Sequence, residues 1–285
     1  MPETRPEFVH NIATDAFDVV EKPLSPWQKL YDNTFARKTV LLVMLALLWE
    51  LYARWLNNAL LFPTFTDTIQ ALLTSIASGE IPRAATYSIG MLLKGYVIGL
   101  ILAGLLTAFA SAGRIGADFL ETLTAMFNPL PSIALLPLAL IWFGLGDGSI
   151  IFVLIHAVLW SVALNMHGGF RAVSPTLKMV GQNYGLSKPA YVVRILLPAA
   201  FPSILTGLKV GWAFAWRTLI AAELVFGVSS GSGGLGWYIF EQKNQLLIPN
   251  VFAGLLTVIL FGLLVENLIF KTIENVTVHR WGMQT

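Results

Sequence analysis

Ionisable side chains inside the apolar stretches of this sequence are few, and they carry the most information about chemistry. Lys209, Arg217 and Glu223 all fall in one such stretch, near 199 to 226. Arg217 is close to its middle by count, too deep to snorkel easily, so it needs a wet cavity or a partner. In a cavity its guanidinium would match the oxygens of a carboxylate, a sulfonate or nitrate. The alternative is a buried ion pair with a neighbouring helix, for instance through Glu223 of a second copy. Asn128 and Ser132 stand four residues apart, on one face of a helix, among Pro129, Pro131 and Pro137. These prolines free backbone carbonyls that a water-filled path would satisfy, although a kinked packing helix accounts for them equally. His156 is either a hydrogen-bonder in the same path or a satisfied interior histidine.

Catalysis within the chain has little support. His10, His156, His167 and His279 are dispersed, and none pairs with another histidine or a glutamate at metal-ligand spacing. His156 and His167 share one apolar stretch but lie about 16 Å apart along a helix, too far to share a metal. Cysteine is absent, which excludes disulfides, thiolate metal sites and a cysteine nucleophile. We therefore assign no catalytic and no metal-binding residue. The Gly-rich run Gly231-Ser232-Gly233-Gly234-Leu235-Gly236 lacks the lysine of a nucleotide-binding loop, and no Gly-x4-Gly-Lys-Ser/Thr occurs. A turn or re-entrant connection suits it better.

The elements that must position these residues follow from composition. The 285 residues are 56% hydrophobic and 12% charged, and the mean hydropathy is +0.70, which makes this a membrane protein. A net charge of +2 without a dense basic run argues against nucleic acid. Six stretches approach the roughly 20 apolar residues needed to span a bilayer, near 39–57, 85–110, 118–142, 149–169, 199–226 and 250–270. The fold class is accordingly an all-α polytopic membrane protein of about six transmembrane helices, with a short helix between the fourth and fifth. Gly95, Gly99 and Ala103 form a small-residue stripe that permits close helix contact. Glu50 and Arg54, one turn apart, should pair, and Lys94 is expected to reach water by its stem.

Residues 1–38 are polar, contain four prolines and lack the apolar core of a cleavable signal. They read as a tail, in which Phe8, Ile12, Phe17 and Val20 mark a possible short amphipathic helix on the membrane lipid or on a partner. Residues 39–270 form the membrane domain and 271–285 a second tail. Lysine and arginine concentrate at the termini and at 171–194, with only Arg54, Arg83 and Lys243 on the opposite side. Positive charge inside places both termini and that loop in the cytoplasm.

The loop has its own local code. Ser174 before Pro175 starts a helix, Gly185 suits the left-handed turn that ends one, and Ser187 with Pro189 opens another. Leu177, Val180 and Tyr184 share one face of this helix–elbow–helix, whose apolar stripe packs either on the chain's own spans or on a partner. The run Gly185-x9-Ile195-x-Leu197-Pro198 resembles the cytoplasmic loop by which permeases of bacterial ABC importers dock on their ATPase. Met179, Val180 and Gly181 stand where that pattern has Glu-Ala-Ala. Further blocks resemble the branch of these permeases that serves nitrate, taurine, alkanesulfonates and bicarbonate: Asn128 to Pro131, Leu136 to Leu138, Trp142 to Asp147, Ala221 to Glu223, and Gly234 to Gly236.

What the resemblance implies is a transport subunit in a bacterial cytoplasmic membrane. A second permease copy would complete the path for a small anion, ABC ATPase subunits carrying ATP and Mg would bind the 174–198 loops, and an external solute-binding protein would deliver the solute. An ATP-independent channel or secondary carrier, in which the loop only joins helices, is the competing class.

Overall fold

A computed structural model describes residues 32–226 and 233–280. The tail helix suggested by Phe8, Ile12, Phe17 and Val20, and Gly231-Ser232 of the glycine-rich run, lie outside the described residues. Among those residues every regular element is helical. In chain order they are α1 (Thr34–Leu56), α2 (Phe65–Ala77), α3 (Glu80–Ala112), α4 (Arg114–Phe127), a 3-10 turn (Ser132–Leu135) leading into α5 (Leu136–Phe143), α6 (Asp147–Ala172), α7 (Pro175–Asn183), α8 (Lys188–Tyr191), α9 (Leu197–Phe226), α10 (Leu235–Asn244) and α11 (Ile248–Leu264). Wide, π-type turns run from Val192 into α9, and again beyond α11. Two compact units result, Met1–Trp49 and Glu50–Thr285. Within the first, the described helix exposes an almost continuous run of aliphatic side chains from Val40 to Leu48, a surface suited to lipid rather than water.

Five helices are long and apolar enough to cross a membrane, and a bent pair brings the number to six. Five of the expected spans match continuous helices. The third, expected as one kinked helix over 118–142, is corrected: α4 and α5 meet at 87°. Two prolines two residues apart explain the break. Each lacks an N–H and so donates to no helical carbonyl, and Pro131 itself is extended at ψ 121°.

The core of the second unit is built around α6, which is gripped from both sides by glycines. On α3, a Cβ added at Gly95 would lie 2.5 Å from Cβ of Leu154, and one at Gly99 would lie 2.8 Å from Cβ of Val158. On α9, Gly207 meets Asn165, and Gly211 meets Val162 and Val158. Ala103 is fully buried in the same stripe. The small residues let the backbones approach, which is how helices gain packing contact where lipid offers no hydrophobic driving force. Gly95→Val is therefore expected to overpack the α3–α6 contact and destabilise the protein by about 2 kcal/mol, seen as a lower thermal midpoint of the purified chain. An unchanged midpoint would mean that the two helices can part without cost.

Local pairs fasten the ends. Arg54 meets Glu50 at 2.6 Å, and the same carboxylate accepts the Thr66 N–H at 3.1 Å. Thr64 caps α2 by accepting the Asp67 N–H. Lys94 has more than water: Asp147, in the first turn of α6, lies 3.7 Å away and also accepts from Tyr87 at 2.9 Å. Lys209 reaches Glu274 at 2.7 Å and Glu266 at 3.8 Å, tying α9 to the last turns of the chain.

Candidate functional site

The α4–α5 bend opens a cavity of about 380 Å³, also lined by α6 and α9. Asn128 stands at the C-terminal end of α4 and Ser132 begins the 3-10 turn. His156 comes from the middle of α6 and Arg217 from α9, so four of the five residues expected on a path line one space. The broken span, rather than a shared helical face, is what brings Asn128 and Ser132 together.

The hydrogen bonds at this cavity are incomplete on the protein side. Ser132 Oγ lies 3.1 Å from His156 Nδ1. When the hydroxyl donates, a neutral ring carries its proton on Nε2, and that atom is buried without a partner among the described residues. Trp160 Nε1, one turn further along α6, is equally buried and unpartnered, with its ring stacked on Phe127 at 5.2 Å. Arg217 uses its Nε on the Ala213 carbonyl at 3.1 Å, and its guanidinium lies 5.0 Å over the Phe214 ring. Its terminal nitrogens make no ion pair among the described residues. Among the described residues Arg217 is the one charged side chain on the wall. Such a lining offers the guanidinium of Arg217 together with the polar groups of Asn128 and Ser132, which suits an oxyanion.

Trp160 was not singled out by sequence. Its signal was there, as a residue four beyond His156 on the same helix face, but an indole in an apolar stretch reads first as core.

Glu223 stands apart from this cavity. It is 2% exposed and spent on a junction of three elements. Ser88 of α3 lies 2.8 and 2.9 Å from its two oxygens, Gly236 donates its N–H at 2.9 Å, and Leu235 donates its N–H to the Ser88 hydroxyl at 2.9 Å. The carboxylate thus caps the first turn of α10, where free N–H groups and the helix dipole favour negative charge. A side chain at Gly234 would run into this carboxylate, and one at Gly236 would meet the Ile220 carbonyl 2.5 Å away. Of the five residues expected on a path, Glu223 is therefore the one outside this cavity, held in a junction that joins the Ala-Ala-Glu and Gly-Leu-Gly blocks.

The 174–198 loop has the expected helix–elbow–helix form. The Ser174 hydroxyl accepts the Leu177 N–H at 3.4 Å, α7 follows from Pro175, Gly185 takes φ +60°, and α8 starts one residue after Ser187. Gly181 packs so closely on the Tyr191 ring, with Ile195 beyond it, that a methyl group there would collide. Ile195, Leu197 and Pro198 are half-buried at the entry to α9. By contrast, Leu177 is 42%, Met179 54%, Val180 37% and Tyr184 79% exposed. The chain's own spans leave most of this apolar face uncovered.

Helices long and apolar enough to cross a membrane, with a cavity between several of them and a helical elbow in the loop before α9, suit a transport subunit. Residues 95–274 match the family described as binding-protein-dependent transport system inner membrane component, and the chain belongs to that family, the permeases of ABC transporters. A putative ABC transporter permease of Methanocaldococcus jannaschii is 27% identical over 84% of this chain and 90% of its own length. The putative aliphatic sulfonates transport permease SsuC of Escherichia coli is 29% identical over 76% and 82%. The nitrate import permease NrtB of Synechocystis is 32% identical over 53% and 54%. These likenesses place the chain in the branch its sequence blocks indicate.

Proposed function

We propose that this chain, paired with a second copy, forms the translocation path of an ATP-driven importer for a small oxyanion such as nitrate, bicarbonate, a sulfonate or an organic acid. The observation that carries the anion assignment is the lining of the α4–α5 cavity: Arg217, which makes no ion pair among the described residues, on one wall with Asn128 and Ser132. The sulfonate and nitrate named for two relatives fit the same chemistry. Loop 174–198 takes up the work of a separate ATPase that carries ATP and Mg, an external binding protein presents the solute, and both termini lie in the cytoplasm.

In this mechanism the two permease copies face each other across the path and the ATPases close on ATP. Closure displaces α7, and the displacement passes through the Gly181–Tyr191 contact and Ile195 into α9, which carries Arg217. The energy for switching comes from the difference in loop contact between the two states.

Arg217→Gln is expected to lower uptake by about thirtyfold, the worth of one charged hydrogen-bonding group. Its side chain contributes little to packing, so the thermal midpoint should not change, and Arg217→Lys should recover part of the rate. Uptake of labelled nitrate, bicarbonate and a small sulfonate by cells carrying each variant is the measurement. Normal uptake by Arg217→Gln would remove Arg217 from the path.

A further inference from the structure

A second cavity, of about 370 Å³, opens where the end of α3, the start of α4 and the end of α6 meet the loop. Three cations line it: Arg114, the first residue of α4; Arg171, in the last turn of α6; and Lys178, in α7. Among the described residues no acidic side chain shares the wall and none of the three makes an ion pair. Asp118, one turn along from Arg114, lines a separate depression with Glu121. Lys178 is drawn inward to the Arg171 carbonyl at 3.3 Å, which brings its ammonium to the helix end that carries the Arg171 guanidinium. His167 also lines the cavity, and its Nδ1 is buried without a partner.

Three like charges around one space repel each other unless something neutralises them. The space is large enough for a tetrahedral oxyanion, and two guanidinium forks with an ammonium suit phosphate oxygens. The cavity also sits at the ends of α3 and α6, two helices long and apolar enough to cross a membrane, and the ends of such spans meet the polar headgroup region.

We propose that this cavity binds a phosphate group, either the headgroup phosphate of an anionic phospholipid or free inorganic phosphate, and that the bound group ties α7 to the ends of α3 and α6. The binding rests on the cavity alone. Its consequence, a stiffer connection between the elbow and the spans, rests on the coupling role given to loop 174–198 above.

The test uses the full chain in nanodiscs, read by thermal midpoint. Discs of phosphatidylcholine alone are compared with discs containing phosphatidylglycerol, and the former are also measured with inorganic phosphate against chloride at matched ionic strength. A bound anion should raise the midpoint by about 3 °C. The rise should vanish in Arg114→Gln with Arg171→Gln, two exposed positions whose loss leaves the core intact. It should survive in Lys271→Gln with Arg280→Gln, which removes the same charge elsewhere. A rise with phosphatidylglycerol only assigns the lipid, and a rise with phosphate in neutral discs assigns the free ion. No rise from either, or equal loss in the control pair, overturns the site. Capture of the ATPase by the same variants, measured separately, reports on the coupling reading alone.

Discussion

Val180→Asp combined with Tyr184→Asp is expected to abolish ATP-driven uptake while leaving the membrane domain folded. Both side chains sit on the elbow with much of their surface uncovered, Tyr184 at 79%, so neither supports the chain's own core. A tyrosine and a valine buried in a partner's groove are together worth about 4 kcal/mol. Replacing them with carboxylates forfeits that and adds the cost of placing charge in an apolar contact. Even 3 kcal/mol weakens docking by about a hundredfold. The measurement is paired: ATP hydrolysis and solute uptake by the reconstituted complex, with the thermal midpoint of the permease as the control for folding. Hydrolysis that continues without uptake, or loss of the ATPase from the complex, is the expected outcome. Unchanged uptake per ATP would leave α7 as a connector and favour a carrier that needs no ATPase.

The elbow was legible because its code is local. Ser174-Pro175, Gly185 and Ser187 each act within one turn, and a left-handed glycine or a capping serine needs nothing from the rest of the fold. The spans were legible because hydropathy over 20 residues is a sum, insensitive to detail. The α3 stripe of Gly95 and Gly99 could be seen by spacing, but its partner stripe of Gly207 and Gly211 on α9 passed unnoticed, although the interval is the same. Capped helix α2 was also missed, despite Thr64 standing three residues before Asp67, because 13 residues between two spans read as connection.

The candidate site was half visible for a different reason. Polar types in apolar surroundings picked out Asn128, Ser132, His156 and Arg217, and the cavity gathers all four. Pro129 and Pro131 signalled an interruption, but a single kink and a full 87° break leave the same composition behind. What decides between them is whether neighbouring helices leave room for the freed backbone, which no local pattern encodes. Glu223 lies outside the cavity, and its place was hidden for the converse reason. Its partners Ser88 and Gly236 lie 135 and 13 residues away, and a carboxylate in an apolar stretch looks the same whether it faces a path or caps a distant helix.

That difference can be measured. Glu223→Ala leaves the Gly236 N–H without its acceptor and takes the Ser88 hydroxyl's acceptor away. Buried unsatisfied groups cost about 1 to 3 kcal/mol each, so a loss of about 4 kcal/mol is expected, with a marked fall in thermal midpoint. Glu223→Gln should cost less, because its amide oxygen can still accept from Gly236 while only the charge and one hydrogen-bond direction are lost. Ser88→Ala should resemble the milder variant, since it leaves the Gly236 bond in place but removes the acceptor for Leu235. Adding Ser88→Ala to Glu223→Ala should cost less than the two separately, as residues of one network do. A path role predicts the opposite pattern: midpoints unchanged in all variants and uptake lost in proportion to the charge removed. If Glu223→Ala melts with the native protein, the three-element junction contributes nothing and the carboxylate must be reassigned to transport. If it melts early while Glu223→Gln transports at a reduced rate, the glutamate serves by holding α10 against α3 and α9.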